Sequence, residues 1–423
     1  MDTLLTHQCI KNIRMLLKDD LLRIIRSQRE NLVSHPSGII RENLHNVRII
    51  ENFALVISGI RRCGKSTLLL QSMKTKEHSN YVNFEDPRLK EFEIEDFELL
   101  EEVFEQDFGK CDLFYFDEIQ NLKGWESYVR YLLERKKNVI LTGSNASLLS
   151  RELGTKLTGR YLKIELFPFS FREFLIFRDL EESEDSFRDY LVTGGFPEYV
   201  KTGIDEILQT LLLDIIARDI VVRHGIRNPK LITEMAVYLL RNVAREYTCS
   251  SLTKIFPSLG SVTTAVSYLG YLEDSYILFS LSRFSYSLKS QQINPKKIYA
   301  IDNGFLRANS IGFSEDYGRL LENYVFLELR RRYRELFYFR EQGECDFLVK
   351  DKTVIVSALQ VCYHLNSRNQ KREINGLLEA MNKCNLDTGY ILTFSQEDEI
   401  AIEGKRIVVR PAWKFDYDAV RVG

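Results

Sequence analysis

Nine residues constrain this chain more than any other stretch: Gly59-Ile60-Arg61-Arg62-Cys63-Gly64-Lys65-Ser66-Thr67. They fit G-x-x-x-x-G-K-[ST] at every fixed position. An apolar run, Phe53–Ser58, precedes them, and a stretch of helical character, Thr67–Met73, follows. Strand, glycine loop and helix form the setting in which this pattern cradles phosphate. Glycine lets the backbone curl so that several N–H groups face one concavity. The helix N-terminus adds partial positive charge beneath it. The pattern assigns nucleotide contacts to Gly59, Arg62, Cys63, Gly64, Lys65, Ser66 and Thr67. Lys65 is placed to reach the β- and γ-phosphates, and the Ser66 hydroxyl to ligate Mg²⁺. Arg61 and Arg62 lie inside the loop, and the sequence does not say whether they face strand tips or a partner.

Fifty-two residues past Lys65, Leu113-Phe114-Tyr115-Phe116 runs into Asp117-Glu118. A buried strand ending in two acids delivers Asp117 beside the metal and lets Glu118 polarise an attacking water. A helix cap is the other reading of such acids. A third apolar strand, Val139–Thr142, ends in Gly143-Ser144-Asn145. Asn145, ahead of Ser144, is the candidate to contact the γ-phosphate or orient water; capping the next helix is its alternative. Arg160 is placed to stabilise charge on the transferred phosphoryl group, in cis or from a neighbouring subunit, or else is a surface residue.

Composition narrows the remaining classes. With 44% hydrophobic and 12% aromatic residues among 423, the chain has enough apolar material for real cores and is not a disordered polymer. No run of about 18 apolar residues suggests a membrane span, and the first twenty residues lack a signal peptide's apolar core. Seven scattered cysteines show no C-x-x-C spacing, which disfavours a disulfide framework or a zinc site and suggests the cytoplasm. The net charge of −2 conceals local asymmetry. Glu85–Asp107 carries 11 acids and 2 bases, read as a solvated helix face, whereas Arg283–Lys297 carries four bases and no acid.

Apolar runs alternate with helical stretches up to about residue 204, which indicates a parallel α/β sheet. The expected organisation is N-terminal helices over 1–48, a P-loop ATPase domain over 49–204, a winged-helix domain over 205–304 and a nuclease-like α/β domain over 305–423. Leu231–Val243, Cys249–Phe256 and Ser261–Glu273 read as helices followed by two strands, a winged-helix pattern. The last of these helices offers no Arg or Lys, so DNA phosphates fall to Lys289, Lys296 and Lys297 in the wing. Protein contact is the equal alternative. In the C-terminal part, Glu322, Asp346 and Gln360 have the spacing of PD-(D/E)xK nucleases, whose sites need acidic Mg²⁺ ligands and a lysine. Cys362 stands at the lysine position and Lys371 lies nine residues on, so this part reads as a nuclease-like fold that has lost cleavage.

The motif string resembles one group of prokaryotic AAA+ ATPases. The match begins with the loop at Gly59–Thr67 and continues through Phe116–Gln120 (FDEIQ), Leu141–Leu149 (LTGSNASLL), Leu157–Arg160 and Pro168–Phe174. Gly194–Glu198 (GGFPE), Ala217–Ile220 (ARDI) and Lys297–Gly304 (KIYAIDNG) follow in order. The resemblance covers nearly all of residues 45–400. It implies an AAA+ parallel-sheet domain, a C-terminal domain of unknown function, ATP over GTP, Mg²⁺, a sensor role for Asn145 and the chance of a homo-oligomer sharing Arg160. The resulting expectation is an ATPase that moves its C-terminal region, on DNA or against a protein partner. A slow nucleotide-gated switch is the alternative, and an ATP-controlled nuclease is the third reading.

Overall fold

A computed structural model describes residues 16–34, 38–76, 78–144, 157, 159–310 and 316–421. The chain divides into two compact units. Of the described residues, those up to 57, from 66 to 143 and from 157 to 164 fall in the first; 58–65, 144 and those from 165 on fall in the second.

The first unit is built on a five-stranded parallel sheet. Its strands are β1 (Ala54–Ser58), β2 (Asn80–Asn83), β3 (Leu113–Asp117), β4 (Asn138–Gly143) and β5 (Tyr161–Glu165), in the order β2-β3-β4-β1-β5. Strands β1 and β3 are buried along their whole length, which is why they read as unbroken apolar runs rather than alternating ones. Around them lie α1 (Lys18–Ser34), α2 (Lys65–Lys74), α3 (Phe97–Phe108) and α4 (Trp125–Glu134). Phe97 of α3 stacks on Tyr128 of α4 with ring centroids 3.5 Å apart. The acidic run is more than a solvated face, because Lys18 and Arg26 of α1 pair with its Glu102 and Asp107.

The second unit contains a nine-stranded mixed sheet. Its members are β6 (Glu246–Tyr247), β7 (Leu278–Arg283), β8 (Lys296–Ala300), β9 (Glu335–Arg340), β10 (Glu344–Asp351), β11 (Val354–Val361), β12 (Thr388–Thr393), β13 (Asp398–Ile402) and β14 (Lys405–Pro411). The order is β13-β14-β12-β11-β10-β9-β7-β8-β6. Strand β7 pairs in parallel with β9 through Ser282↔Phe337 and Arg283↔Tyr338. The sheet therefore runs across residues 304/305, where the sequence pattern suggested a domain boundary. That pattern records strand and helix content but not which edges pair, and here two edges meet.

Two of the family-like motifs serve architecture. Asp302 of the IDNG segment is buried, and its carboxylate accepts from the Gly195 amide at 2.6 Å and the Phe305 amide at 2.9 Å. A Cβ at Gly194 (φ +71°) would lie 2.3 Å from Asp302 Oδ1, and one at Gly304 would lie 1.9 Å from the Thr193 carbonyl. Glycine is required at both positions for the segments to close on one another. Burial pushes the Asp302 carboxyl up to about 6, against the pull of those amides.

Candidate functional site

The phosphate loop has the backbone its sequence calls for. Arg62 and Gly64 take positive φ, +61° and +100°. Gly59 lies so close to the Leu166 carbonyl that a Cβ would come within 2.1 Å of it. Cys63 is fully buried; its thiol donates to the same carbonyl at 3.5 Å and its amide donates to the Ile60 carbonyl at 3.4 Å, so both hold the turn of the loop. Lys65 arches back over the loop, its ammonium 3.2 Å from the Ile60 carbonyl. Helix α2 begins at this lysine, as a helix N-terminus under bound phosphate requires.

In the first unit, Asp117 ends β3 and is 1% exposed. Thr142, on the adjacent β4, donates from its hydroxyl to Asp117 Oδ1 and accepts the Glu118 amide at 2.9 Å. Tyr81 of β2 approaches the other carboxylate oxygen at 3.4 Å, and burial followed by the Asp117 charge pushes its phenol far above its ordinary range. Glu118 takes a left-handed conformation (φ 51°, ψ 44°), sparsely populated by non-glycine residues. The Gln120 amide bonds to its carboxylate. Ser66, Tyr81 and Asp117 line one cavity of about 580 Å³ with Gln28, Asp86 and Arg88. Within it, Arg88 and Gln28 hold the Asp86 carboxyl down at about 2, chiefly through the Arg88 hydrogen bond. Sequence reasoning missed Thr142 and Tyr81; the one polar residue in the run Val139–Thr142 was the available signal.

Of the expected site residues, Ser66 and Asp117 line this cavity, and Arg160 does not. Asn145 lies outside the described residues. Arg160 sits at the start of β5, where its carbonyl accepts the amide of Ala54, the first residue of β1. Its guanidinium pairs loosely with Glu134 at 3.8 Å. The loop leaves from the other end of β1, five residues or roughly 17 Å along the strand. This position, paired with Glu134 at the protein surface, speaks against a role in cis and fits both a surface arginine and a role in trans.

The second unit corrects the reading of the wing. Lys297 was assigned to DNA phosphates, but its side chain is 3% exposed. Its ammonium lies 2.6 Å from Glu344, 2.8 Å from Asp346 and 3.1 Å from Glu322. Tyr299, two residues along the same strand, donates to Glu322 at 2.7 Å. Burial alone would lower the lysine's pKa, yet Asp346 and Glu322 hold it well above the ordinary value. The Glu322 carboxyl is raised by burial and then by Asp346. Gln360 accepts the Asp346 amide and donates to Glu373, so its carbonyl oxygen is already engaged. Cys362, at the expected lysine position, has its thiol pushed up to about 11 by burial and stays neutral. Lys371 is exposed at the start of helix Gln370–Cys384. The positive charge beside the acids thus comes from β8, more than sixty residues before Cys362, which spacing within the nuclease-like segment could not reveal. Among the described residues, no three His, Cys, Asp or Glu side chains gather as a metal-ligand set.

An AAA domain matches residues 51–175, which include the loop and both acids. A domain of unknown function (DUF8612) matches 184–316 and another (DUF4143) matches 317–414. The chain is 37% identical over 407 residues to the uncharacterized protein MJ1544 of Methanocaldococcus jannaschii, covering 87% of this chain and 89% of that one. It belongs to that protein's family. An uncharacterized protein of Haemophilus influenzae is 28% identical over 389 residues, covering 86% and 94% of the two chains. Among solved structures, the Walker-type ATPase PABY2304 of Pyrococcus abyssi gives a TM-score of 0.37 at 16% identity, covering 69% of this chain and 96% of that one. AMPPCP-bound DnaA from Aquifex aeolicus gives 0.28 at 14%, covering 59% and 88%. Scores this low establish no shared fold. The family's N-terminal part is a P-loop AAA domain, a nucleotide-binding class. Among the described residues, no helix is long and apolar enough to cross a membrane.

Proposed function

We propose that the protein is a Mg²⁺-dependent ATPase whose nucleotide cycle moves its C-terminal region. The observation that carries this is the Asp117–Glu118 pair at the tip of β3, fixed by Thr142, with Asp117 in one cavity with Ser66 at the end of the phosphate loop. The loop amides from Gly59 to Thr67 and the Lys65 ammonium hold the phosphates. Ser66 and Asp117 fit Mg²⁺: a hydroxyl and a fixed carboxylate, both oxygen donors, line the same cavity. The ion supplies neutralisation of phosphate charge. Glu118, held by its backbone bond to Thr142, orients the attacking water and takes up its proton. Asn145 is assigned to sense the γ-phosphate, and Arg160 to act on a neighbouring subunit of a homo-oligomer.

For the C-terminal region, the element order supports a winged helix. Helix Pro229–Arg241, strand β6, helices Cys249–Ile255 and Val262–Asp274 and strands β7 and β8 follow one another, with β8 between β7 and β6. The face of the last helix favours protein contact over DNA. Val262 and Val266 are exposed on it, no basic residue lies there, and Lys297 is withdrawn into the carboxylate cluster. Strands β9 to β12 with helices Tyr317–Arg332 and Gln370–Cys384 support the nuclease-like reading of the fold, without its chemistry. The deciding measurement is phosphate release from ATP, with and without single- and double-stranded DNA, in the wild type and in Glu118→Gln. Turnover lost in the variant and indifferent to DNA is the expected result. Turnover unchanged in Glu118→Gln overturns the catalytic assignment, and DNA-stimulated turnover overturns the preference for a protein partner.

A further inference from the structure

The loop residues Ser58–Lys65 belong by their contacts to the second unit. Four successive attachments account for this. Ser58 Oγ is 2.7 Å from the Tyr276 hydroxyl. Gly59 and Cys63 bear on the Leu166 carbonyl. Arg62 reaches Glu198 at 3.1 Å across an exposed surface. Arg61 makes the strongest attachment: its Nε donates to Asp219 Oδ2 at 2.6 Å and its Nη2 to Oδ1 at 3.1 Å. Both side chains are largely buried, at 18% and 4% exposure. A two-pronged guanidinium–carboxylate pair out of water fixes both distance and orientation.

Asp219 lies in an unusual segment. Helix Asp205–Asp214 continues into Ile215–Val222, which is wound as a π-helix. Such windings are rare, less favourable than α-helix, and occur mostly at functional sites. Ile215, Ile216, Asp219 and Ile220 are its buried residues, so Asp219 is the one charge on the inward face. The helix leading into it is tied to the segment after β8: Gln209 donates to the Ala308 carbonyl at 3.0 Å and Asn309 to the Leu208 carbonyl at 3.3 Å. A one-residue shift of hydrogen-bond register toward α-helix would turn Asp219 away from Arg61 without breaking the helix.

We propose that Asp219 is a positioning residue for the phosphate loop, and that the Arg61–Asp219 pair carries nucleotide occupancy from the loop into the π-helix Ile215–Val222. This rests on the nucleotide-binding reading and adds the element that responds. Phosphate binding draws the loop amides from Gly59 to Lys65 inward. Arg61 sits among them, so its tether to Asp219 must follow or strain. The π-segment is the second state available to the helix.

The test is amide hydrogen exchange on the full chain with and without Mg²⁺ and the non-hydrolysable analogue AMPPCP, while a fluorescent ATP analogue measures affinity. In the wild type, the nucleotide is expected to change the exchange of residues 215–222 at least threefold. In Asp219→Asn, which keeps size but loses charge, affinity weakens, and at saturating analogue that response disappears. Asp219→Glu, which restores the carboxylate, recovers it. Thermal midpoints without nucleotide show whether each variant is folded. Binding in the wild type with no change over 215–222 overturns the inference alone, and so does a full response in Asp219→Asn. No binding in the wild type overturns the nucleotide reading, and the inference with it.

Discussion

Two sets of acids behave differently in this molecule. Asp117 at the end of β3 lines an open cavity of about 580 Å³ beside Glu118, and neutral groups, Thr142, Tyr81 and Gln120, are among those that bond to the two acids. Asp346 on β10, with Glu322 and Glu344, closes around the ammonium of the chain's own Lys297. A carboxylate fixed by neutral donors keeps its charge available for a cation from solution. One fixed by a buried lysine has already used it. Acids at the right spacing therefore do not make a metal site; what neutralises them decides.

The comparison breaks most readily at Glu118. Glu118→Gln keeps the shape of the tip and removes the proton acceptor, so kcat for ATP is expected to fall about 100- to 10,000-fold, with nucleotide affinity retained in a filter or fluorescence assay. On the other side, Lys297→Met leaves three carboxylates without their cation. Removing one partner from a buried ionic cluster costs about 3–5 kcal/mol, read as a drop in urea midpoint. Adding Glu322→Gln should recover part of that loss. A neutral Lys297→Met would mean that the cluster is hydrated and open, and the contrast with Asp117 would collapse. Lys65→Ala is the smaller effect. Losing one charge-assisted contact to phosphate is worth about 1.5–3 kcal/mol, a weakening of roughly 10- to 100-fold in ATP affinity. Unaltered affinity would remove the loop from the site.

The first of these regions was legible and the second was not, for a physical reason. The phosphate loop is local: glycines, lysine and hydroxyl act within nine consecutive residues, and its strand and helix flank it directly. Asp117 and Glu118 were found because a buried parallel strand shows itself as an apolar run. Thr142 was hidden because its role depends on β4 lying beside β3, a matter of strand order. Lys297 was misread because its neighbour Lys296 is partly exposed, and only pairing of β8 with β6 and β7 shows which lysine faces inward. Asp219 was noticed only as part of a motif, since its partner is 158 residues away. Sequence exposes chemistry carried by neighbours along the chain; it conceals chemistry assembled across a sheet.

The contrast also predicts a difference in how the units respond to pH. In the second unit, burial raises the Asp302 carboxyl to about 6, and burial with Asp346 raises that of Glu322. A group whose folded pKa lies above its unfolded value takes up a proton on folding. Its contribution is full below the ordinary carboxylate range near 4 and is lost as pH rises through the folded value. Lys297, raised instead, keeps its contribution until pH exceeds the ordinary lysine range, outside this window. His224, lowered by burial and by Arg223, acts in the opposite sense, so Asp302→Asn is the variant that isolates the effect. In the first unit, Asp86 is held down at about 2 and Asp112 is lowered by its hydrogen bond from Lys137, so these contributions are lost only in acid. The two tryptophans allow the units to be followed separately, because Trp125 lies in the first and Trp413 in the second. In single-tryptophan variants, the Trp413 urea transition should weaken by about 1–2 kcal/mol between pH 5 and 8, while the Trp125 transition stays level. Asp302→Asn should flatten the Trp413 profile. A Trp413 transition that strengthens with pH would mean that Asp302 and Glu322 are better solvated than their burial implies.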